Sequence, residues 1–207
     1  MDEFPTWLAS TLASDATEGR GVLPSWIGAL KSEARAIGPA YVALMSQDDN
    51  LSVREAIQAS YTPGCVLIVA GGNTSRTATI GGLLALEMQN KGIIGLVTDG
   101  LVRDARDIRQ MQKFNVWCRG VTPAASHKQG PVAIGGSVSL GGVLIRDGDL
   151  VIADEDGVVI WPQEQIDDLL AKAEVKWQQD NARLAQLQQE MDQVHRNESK
   201  LREHKLP

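Results

Sequence analysis

Between Pro63 and Pro162 the chain is a succession of short apolar runs, CVLIVA, IIGLVT, NVWCR, GPVAI, GGVLI, DLVIA and GVVIW, parted by glycine-bearing turns. Runs this short, rich in Val and Ile and bounded by turn residues, have the length of strands rather than helices. One helix-forming stretch interrupts them between Ser75 and Asn90, and Lys91-Gly92 supplies its stop. A strand, a helix and a second apolar strand in that order make a βαβ unit with a buried parallel pair. The later runs, separated by RDGD and DEDG, predict antiparallel hairpins. The fold class that satisfies all of these is α/β or α+β, a mixed sheet sandwich flanked by helices.

The flanks differ. Before Pro63 the chain mixes a short helical pattern, TWLASTLAS, a strand, AYVALMS, and a helix from Ser52 to Ser60 with Ser52 as N-cap and Glu55 at the capping-box position. From Gln163 to Lys205 there is neither proline nor glycine, and Gln, Glu, Lys, Leu and Ala dominate. That segment predicts one long helix. Its apolar positions, Ile166, Leu170, Ala173, Trp177, Leu184, Leu187, Met191, Val194 and Leu201, step by threes and fours, close to a heptad seam. The seam predicts packing on another subunit. The competing expectation is a helix lying on its own core as far as Trp177, with a polar tail beyond. Residues 1–162 are then expected as one compact domain and 163–207 as a helical extension making an oligomer contact.

Composition narrows the function. A chain of 207 residues with 43% hydrophobic content buries one good core. Its net charge of −6, with no basic cluster before the C-terminal segment, speaks against nucleic acid as a partner. MDEFPTWLAS lacks a charged n-region followed by an apolar h-region, and no apolar run approaches the roughly 20 residues of a membrane span, so a cytoplasmic protein without a membrane partner is expected. Cys65 and Cys118 stand in separate strand-like runs without CxxC spacing and are expected to be reduced core residues.

Two stretches carry chemistry. TDGLVRDARD follows the apolar run IIGLV and gathers Asp99, Arg103, Asp104 and Asp107 around a glycine turn. Upstream, the pair Gly81-Gly82 would weaken a helix interior by roughly 1 kcal/mol per residue, so TATIGG is expected to be a loop, with the helix starting near Leu83. A helix start beside glycines exposes backbone N–H groups to a carboxylate or phosphate. Neither GxGxxG nor GxxxxGK[ST] is present, so nucleotide binding is not supported. If IIGLVT is the strand after that helix, its C-terminal end delivers Asp99 to Asp104 to the same edge, where open α/β sheets place ligands. A guanidinium at Arg103 can grip a carboxylate at two points, and Asp104 can hold a hard cation such as Mg²⁺. The competing reading of this stretch is a turn followed by a capped helix.

Asp107 is expected as a helix-surface acid rather than a ligand, and Asp99 as a residue capping its own turn, with support of the site from behind as its alternative. Ser75 and Arg76 are expected at the start of the helix or in a subunit contact. His127 is expected on an exposed loop, the alternative being an acid or base that reaches the cleft. Trp117 and Trp161 are expected in the core, and DEDG at Asp154 to Gly157 as a hairpin turn.

The run from Gly71 through GGNTSRTATIGGLLALEMQNKGIIGLVTDGLVRDARD, continued by GGVLIRDGDLVIADEDGVVIWP, resembles the RraA-like superfamily. That group contains the 4-hydroxy-4-methyl-2-oxoglutarate/4-carboxy-4-hydroxy-2-oxoadipate aldolases and the regulator of ribonuclease E activity. The similarity spans roughly Trp7 to Pro162. It implies a swivelling β/β/α sandwich assembled as trimers or hexamers, with active sites between subunits. It further implies a metal-dependent lyase, a class II aldolase or oxaloacetate decarboxylase. Asp104 would ligate Mg²⁺ or Mn²⁺, Arg103 would bind the substrate carboxylate and the enolate, and backbone amides of Gly81, Gly82, Leu83 and Leu84 would hold the pyruvyl end of a small 2-oxo acid. The aldolase pattern is an acid, twenty residues, then Arg-Asp, and here Gly82 stands at the acid's position. Loss of that acid is expected to weaken metal binding or activity by about 10- to 100-fold. The family's further acid from a neighbouring subunit has no assigned counterpart, Glu190, Glu198 and Glu203 being the candidates. The alternative the resemblance leaves is a non-catalytic regulatory protein acting through protein contacts, with the Gln-rich helix as its arm.

Overall fold

The computed structural model describes residues 4–59 and 61–203, with side chains as far as Gln193 and at His195. Most of the strands expected from the apolar runs form, as β1 (Gly28–Ala29), β2 (Ala36–Leu44), β3 (Val66–Ala70), β4 (Ala78–Ile80), β5 (Gly95–Thr98), β6 (Leu101–Val102), β7 (Asn115–Cys118), β8 (Gly120–Val121), β9 (Ser137–Leu140), β10 (Val143–Arg146), β11 (Leu150–Ala153) and β12 (Val158–Trp161). The helices are α1 (Ser10–Ala16), α2 (Leu51–Gln58), α3 (Gly82–Asn90), α4 (Ala105–Gln110) and α5 (Ile166–Glu203).

The main sheet runs β1-β7-β5-β3-β2-β11-β12. Its centre, β2, β3, β5 and β7, is parallel, and the edge partners β1, β11 and β12 are antiparallel. Strand β3, VLIVA, is buried at every residue, as a parallel strand covered on both faces must be. One face packs Val42, Ile68, Trp117 and Ile145 together, the other Val53, Ile57, Leu67, Met88 and Phe114. The βαβ unit β3–α3–β5 and the hairpins β9–β10 and β11–β12 form as expected. Trp117 and Trp161 are fully buried, and Asp154 N–H closes the DEDG turn on the Gly157 carbonyl at 3.0 Å. Both cysteines are free and buried, and burial pushes the Cys65 thiol up to about 11 and raises that of Cys118, which disfavours the thiolate at both.

Three expectations are corrected. TATIGG is not all loop, because Ala78–Ile80 is a strand in a second, three-stranded parallel sheet, β4-β6-β8. GPVAI forms no strand, contributing only the bridge of Ile134 to Ala43. Ser52 does not cap α2, since its hydroxyl donates to the Pro131 carbonyl and accepts from Ala133 N–H, while Asp49 Oδ1 takes the Leu51 N–H at 2.9 Å.

Helix α5 lies on its own core through Leu169, Ala173 and Trp177, the last stacked on Trp7 at 5.3 Å between ring centroids. Beyond that point Leu184, Leu187 and Met191 are exposed. Val194, Leu201, Glu198 and Glu203 fall outside the described side chains, and Glu190 is an exposed acceptor for Gln186 Nε2. Among the described residues no helix is long and apolar enough to cross a membrane.

Candidate active site

The second sheet explains how two distant stretches meet. Strands β4 and β6 are parallel with Ile80 paired to Val102, so the residues that follow them, Gly81 and Arg103, emerge side by side. Arg103 N–H closes the pairing on the Ile80 carbonyl at 2.9 Å. Asp104 then takes a left-handed backbone, φ 55° and ψ 38°. For a residue with a Cβ that conformation costs about 1 kcal/mol, and aspartate tolerates it better than most. The reversal turns the carboxylate back toward α3, where Oδ2 accepts the Gly82 N–H at 2.9 Å. Arg103 Nε stands 3.8 Å from the same oxygen. With the two side chains 42% and 45% exposed, this ion pair contributes little to stability.

Gly81 is required here for space rather than for conformation, its backbone being extended at φ −126°. A Cβ at that position would lie 2.6 Å from Asp104 Oδ2 and 2.8 Å from Arg103 Nε. Gly82 is different. A Cβ there would meet Asp104 Cβ at 3.4 Å and Asp107 Cβ at 3.7 Å, ordinary contact distances. The N–H groups of Leu83 and Leu84, in the first turn of α3, have no acceptor within the helix and remain available to a ligand.

Gly81, Leu83, Leu84, Arg103 and Asp104 line one cleft of about 340 Å³. Gly82 supports it from behind by binding Asp104. The opposite wall comes from residues the sequence reading did not single out. Asn50 and Arg54 come from the start of α2, and Ser126 and Lys128 from the loop after β8. They are placed by the run Asp48-Asp49-Asn50. Asp48 accepts Arg76 N–H at 2.7 Å and Thr77 N–H at 3.2 Å, and these bonds, Arg76 foremost, lower its pKa. Burial alone would raise the pKa of Asp49. Hydrogen bonds from Gln129, Leu51 and Gly130, at 2.6, 2.9 and 3.0 Å, with the His127 charge, carry it below the ordinary carboxylate value instead. Asn50 Nδ2 donates to the Thr79 carbonyl at 2.9 Å. The signal was present in the sequence as three consecutive Asx residues before a helix.

Other expectations resolve plainly. Asp99 does not cap its own turn but reaches across to Gly72 N–H at 2.7 Å and Gly71 N–H at 3.2 Å, and burial raises its pKa. Ser75 and Arg76 do not start α3; they lie in the loop before β4, bound to Asp48. Asp107 and His127 are exposed, and neither lines the cleft.

The residues present accommodate a hydrated divalent cation. Asp104 Oδ2 is engaged by Gly82 while Oδ1 makes no hydrogen bond, and the carboxylate is half-exposed in the cleft. Among the described residues no group of three or more His, Cys, Asp or Glu could form a protein cage. A single carboxylate with several waters is the arrangement Mg²⁺ tolerates.

Comparison with known proteins gives the same picture of kinship. The sequence pattern of the family described as RraA-like, Aldolase/RraA, matches residues 10–160. A Halalkalibacterium halodurans protein named "Putative 4-hydroxy-4-methyl-2-oxoglutarate aldolase" is 36% identical over 183 residues, 88% of this chain and 86% of its own. A Thermus thermophilus 4-hydroxy-4-methyl-2-oxoglutarate aldolase is 34% identical over 116 residues, 56% of this chain and 70% of its own. Among solved structures, Streptomyces coelicolor RraAS2, described as an unusual member of the RNase ES inhibitor RraA family, superposes with a TM-score of 0.74 at 31% identity, covering 86% of this chain and 93% of its own.

Proposed function

We propose, because this chain belongs to the RraA-like (Aldolase/RraA) family, that its cleft is the active site of a divalent-metal-dependent lyase acting on a small 2-oxo acid. The observation that carries this reading is the Arg103–Asp104 pair folded back onto Gly82, beside the free N–H groups of Leu83 and Leu84. Aldolase relatives support retro-aldol cleavage as the reaction. Arg103 and the two N–H groups bind the substrate's carboxylate and keto end, since a planar guanidinium and a helix start both suit anions. Mg²⁺ or Mn²⁺ held on Asp104 would supply Lewis-acid polarisation of the keto group. As the C3–C4 bond breaks, its electron pair moves toward the keto oxygen, and the C4 hydroxyl proton leaves as that carbon becomes a carbonyl. Arg103 stabilises the resulting enolate charge. Protonation at C3 from solvent then gives pyruvate. Among the described residues no histidine lines the cleft, so water entering it is the proton carrier. Oxaloacetate would lose CO₂ by the same electron flow.

Assembly as a homotrimer or homohexamer is part of the same reading. Two features favour a second reading, a regulatory protein acting through contacts: Gly82 stands in place of the acid, and an RraA inhibitor family member is among the structural relatives. Incubation with oxaloacetate and Mg²⁺ or Mn²⁺ separates the two. Pyruvate release that disappears with a chelator and in Asp104→Ala is the result expected of the lyase. Indistinguishable traces from all samples would favour the regulator.

A further inference from the structure

Arg54 and Lys128 line the same cleft as Arg103, and neither makes an ion pair or a side-chain hydrogen bond with any described residue. Arg54 is half-buried, and a cation partly withdrawn from water without a counter-charge is unfavourable unless a ligand supplies one. Glu87, an acid on the cleft wall, accepts a hydrogen bond from Gln58 Nε2 and pairs with neither cation. Neither cation sits on a loose support. Arg54 rises from the first turns of α2, whose start Asp49 secures, and the same carboxylate binds Gln129 and Gly130 N–H immediately after Lys128. Ser126, two residues earlier, donates to the Ala78 carbonyl at 2.8 Å.

A second observation points the same way. Asn50, 5% exposed and part of the cleft wall, has its Nδ2 committed to Thr79, while its Oδ1 is buried with no hydrogen-bond partner. A buried acceptor without a donor costs about 1–3 kcal/mol, a cost that a donor from a bound molecule or an ordered water would relieve.

We propose that Arg54 and Lys128 form a second anion subsite that takes the distal carboxylate of a dicarboxylic 2-oxo acid, with Asn50 Oδ1 accepting from a hydroxyl or water beside it. This rests on the reading of the cleft as a 2-oxo acid site. Arg103 and the start of α3 hold the reacting end, and the α2 wall reads the length and charge of the remainder. Arg54 and Lys128 are therefore specificity residues rather than catalytic ones.

Calorimetric titration with pyruvate and with 2-oxoadipate, both in the presence of Mg²⁺, tests the assignment. Pyruvate has only the reacting end, whereas 2-oxoadipate has both ends and no hydroxyl to cleave. Wild-type protein is expected to bind 2-oxoadipate at least about 10-fold more tightly than pyruvate, the scale of a charged hydrogen bond. An R54Q/K128Q double variant should reduce that preference to about 2-fold or less while leaving pyruvate binding unchanged. An equal affinity of the wild type for both ligands, or a preference that survives in the variant, overturns the subsite and leaves the 2-oxo acid reading intact. A variant that loses pyruvate as strongly as 2-oxoadipate also overturns it, since the two residues would then serve the whole cleft. Wild-type protein that binds neither ligand refutes the 2-oxo acid reading, and the subsite with it.

Discussion

Asp49 and Asp104 each accept hydrogen bonds from backbone N–H groups of a neighbouring segment, Asp49 from three and Asp104 from one. Asp49 is 7% exposed and ties the start of α2 to the 129–130 loop. Asp104 keeps a left-handed backbone, a half-exposed side chain and an oxygen without a hydrogen bond. The first carboxylate has its capacity filled by the protein. The second has capacity to spare, at the edge of a cleft, with Arg103 Nε 3.8 Å from its Oδ2. One wall of the site is thus a fixed frame and the other a reactive corner, and the two should fail in different ways.

The largest effect is expected from the frame. Asp49→Ala strips an acceptor from three N–H groups in a buried setting and should destabilise the fold by about 3 kcal/mol, read from denaturant unfolding. Titration gives the same contrast with a sign. The pKa of Asp49 is lowered on folding, so its contribution is present above the unfolded carboxylate value and is lost as pH falls through the folded one. Asp99 is raised, so its contribution runs the other way, present at low pH and lost as pH rises through its raised folded value. Unfolding followed from neutral to acid pH should therefore lose less stability in Asp49→Asn than in wild type. An identical acid slope in the two proteins would mean that Asp49 holds nothing together.

The reactive corner was easier to find in the sequence than the frame. Arg103 and Asp104 follow an apolar run and a glycine turn, and local pattern alone brings them to the C-terminal edge of a strand. The buried strand VLIVA was equally legible, since only burial on both faces explains five apolar residues in a row. The strand Ala78–Ile80 was not, because its pairing with Leu101–Val102 is a long-range event and three residues carry no periodicity. Asn50, Arg54 and Lys128 were missed for the same reason. Each looks like an ordinary helix-start or loop residue, and only the clamps made by Asp48 and Asp49 bring them to one cleft. Ser52 misled because a Ser-x-x-Glu spacing fits a capping box, whereas the Asx turn of Asp49 had already taken the Leu51 N–H.

A substitution that needs no change of backbone tests the corner by itself. Gly81→Ala keeps an extended conformation that alanine adopts freely, yet its methyl would stand within 2.8 Å of both Arg103 Nε and Asp104 Oδ2. Both side chains are half-exposed and can swing away, so the melting temperature should move little. Pyruvate release from oxaloacetate should fall by about 100-fold, the scale on which a misplaced catalytic group loses rate. Activity retained in a fully folded Gly81→Ala would show that the folded-back geometry of the pair is not what the reaction uses.

The smallest effect, and the one of opposite sign, belongs to Gly82. The space around it admits a side chain beside Asp104, and a carboxylate at a helix N-terminus is favourable by about 0.3–1 kcal/mol, which repulsion from Asp104 and Asp107 offsets in the absence of a cation. Gly82→Asp should accordingly leave the metal-free stability close to wild type. With a divalent cation present the two acids cease to repel and instead share it, directly or through its waters, so Mn²⁺ affinity measured by calorimetry should rise about 10-fold. An affinity that stays level or drops would mean that the cation does not sit on the α3 side of Asp104, and the contrast between a filled frame and an under-filled corner would then need another explanation for the glycine at this position.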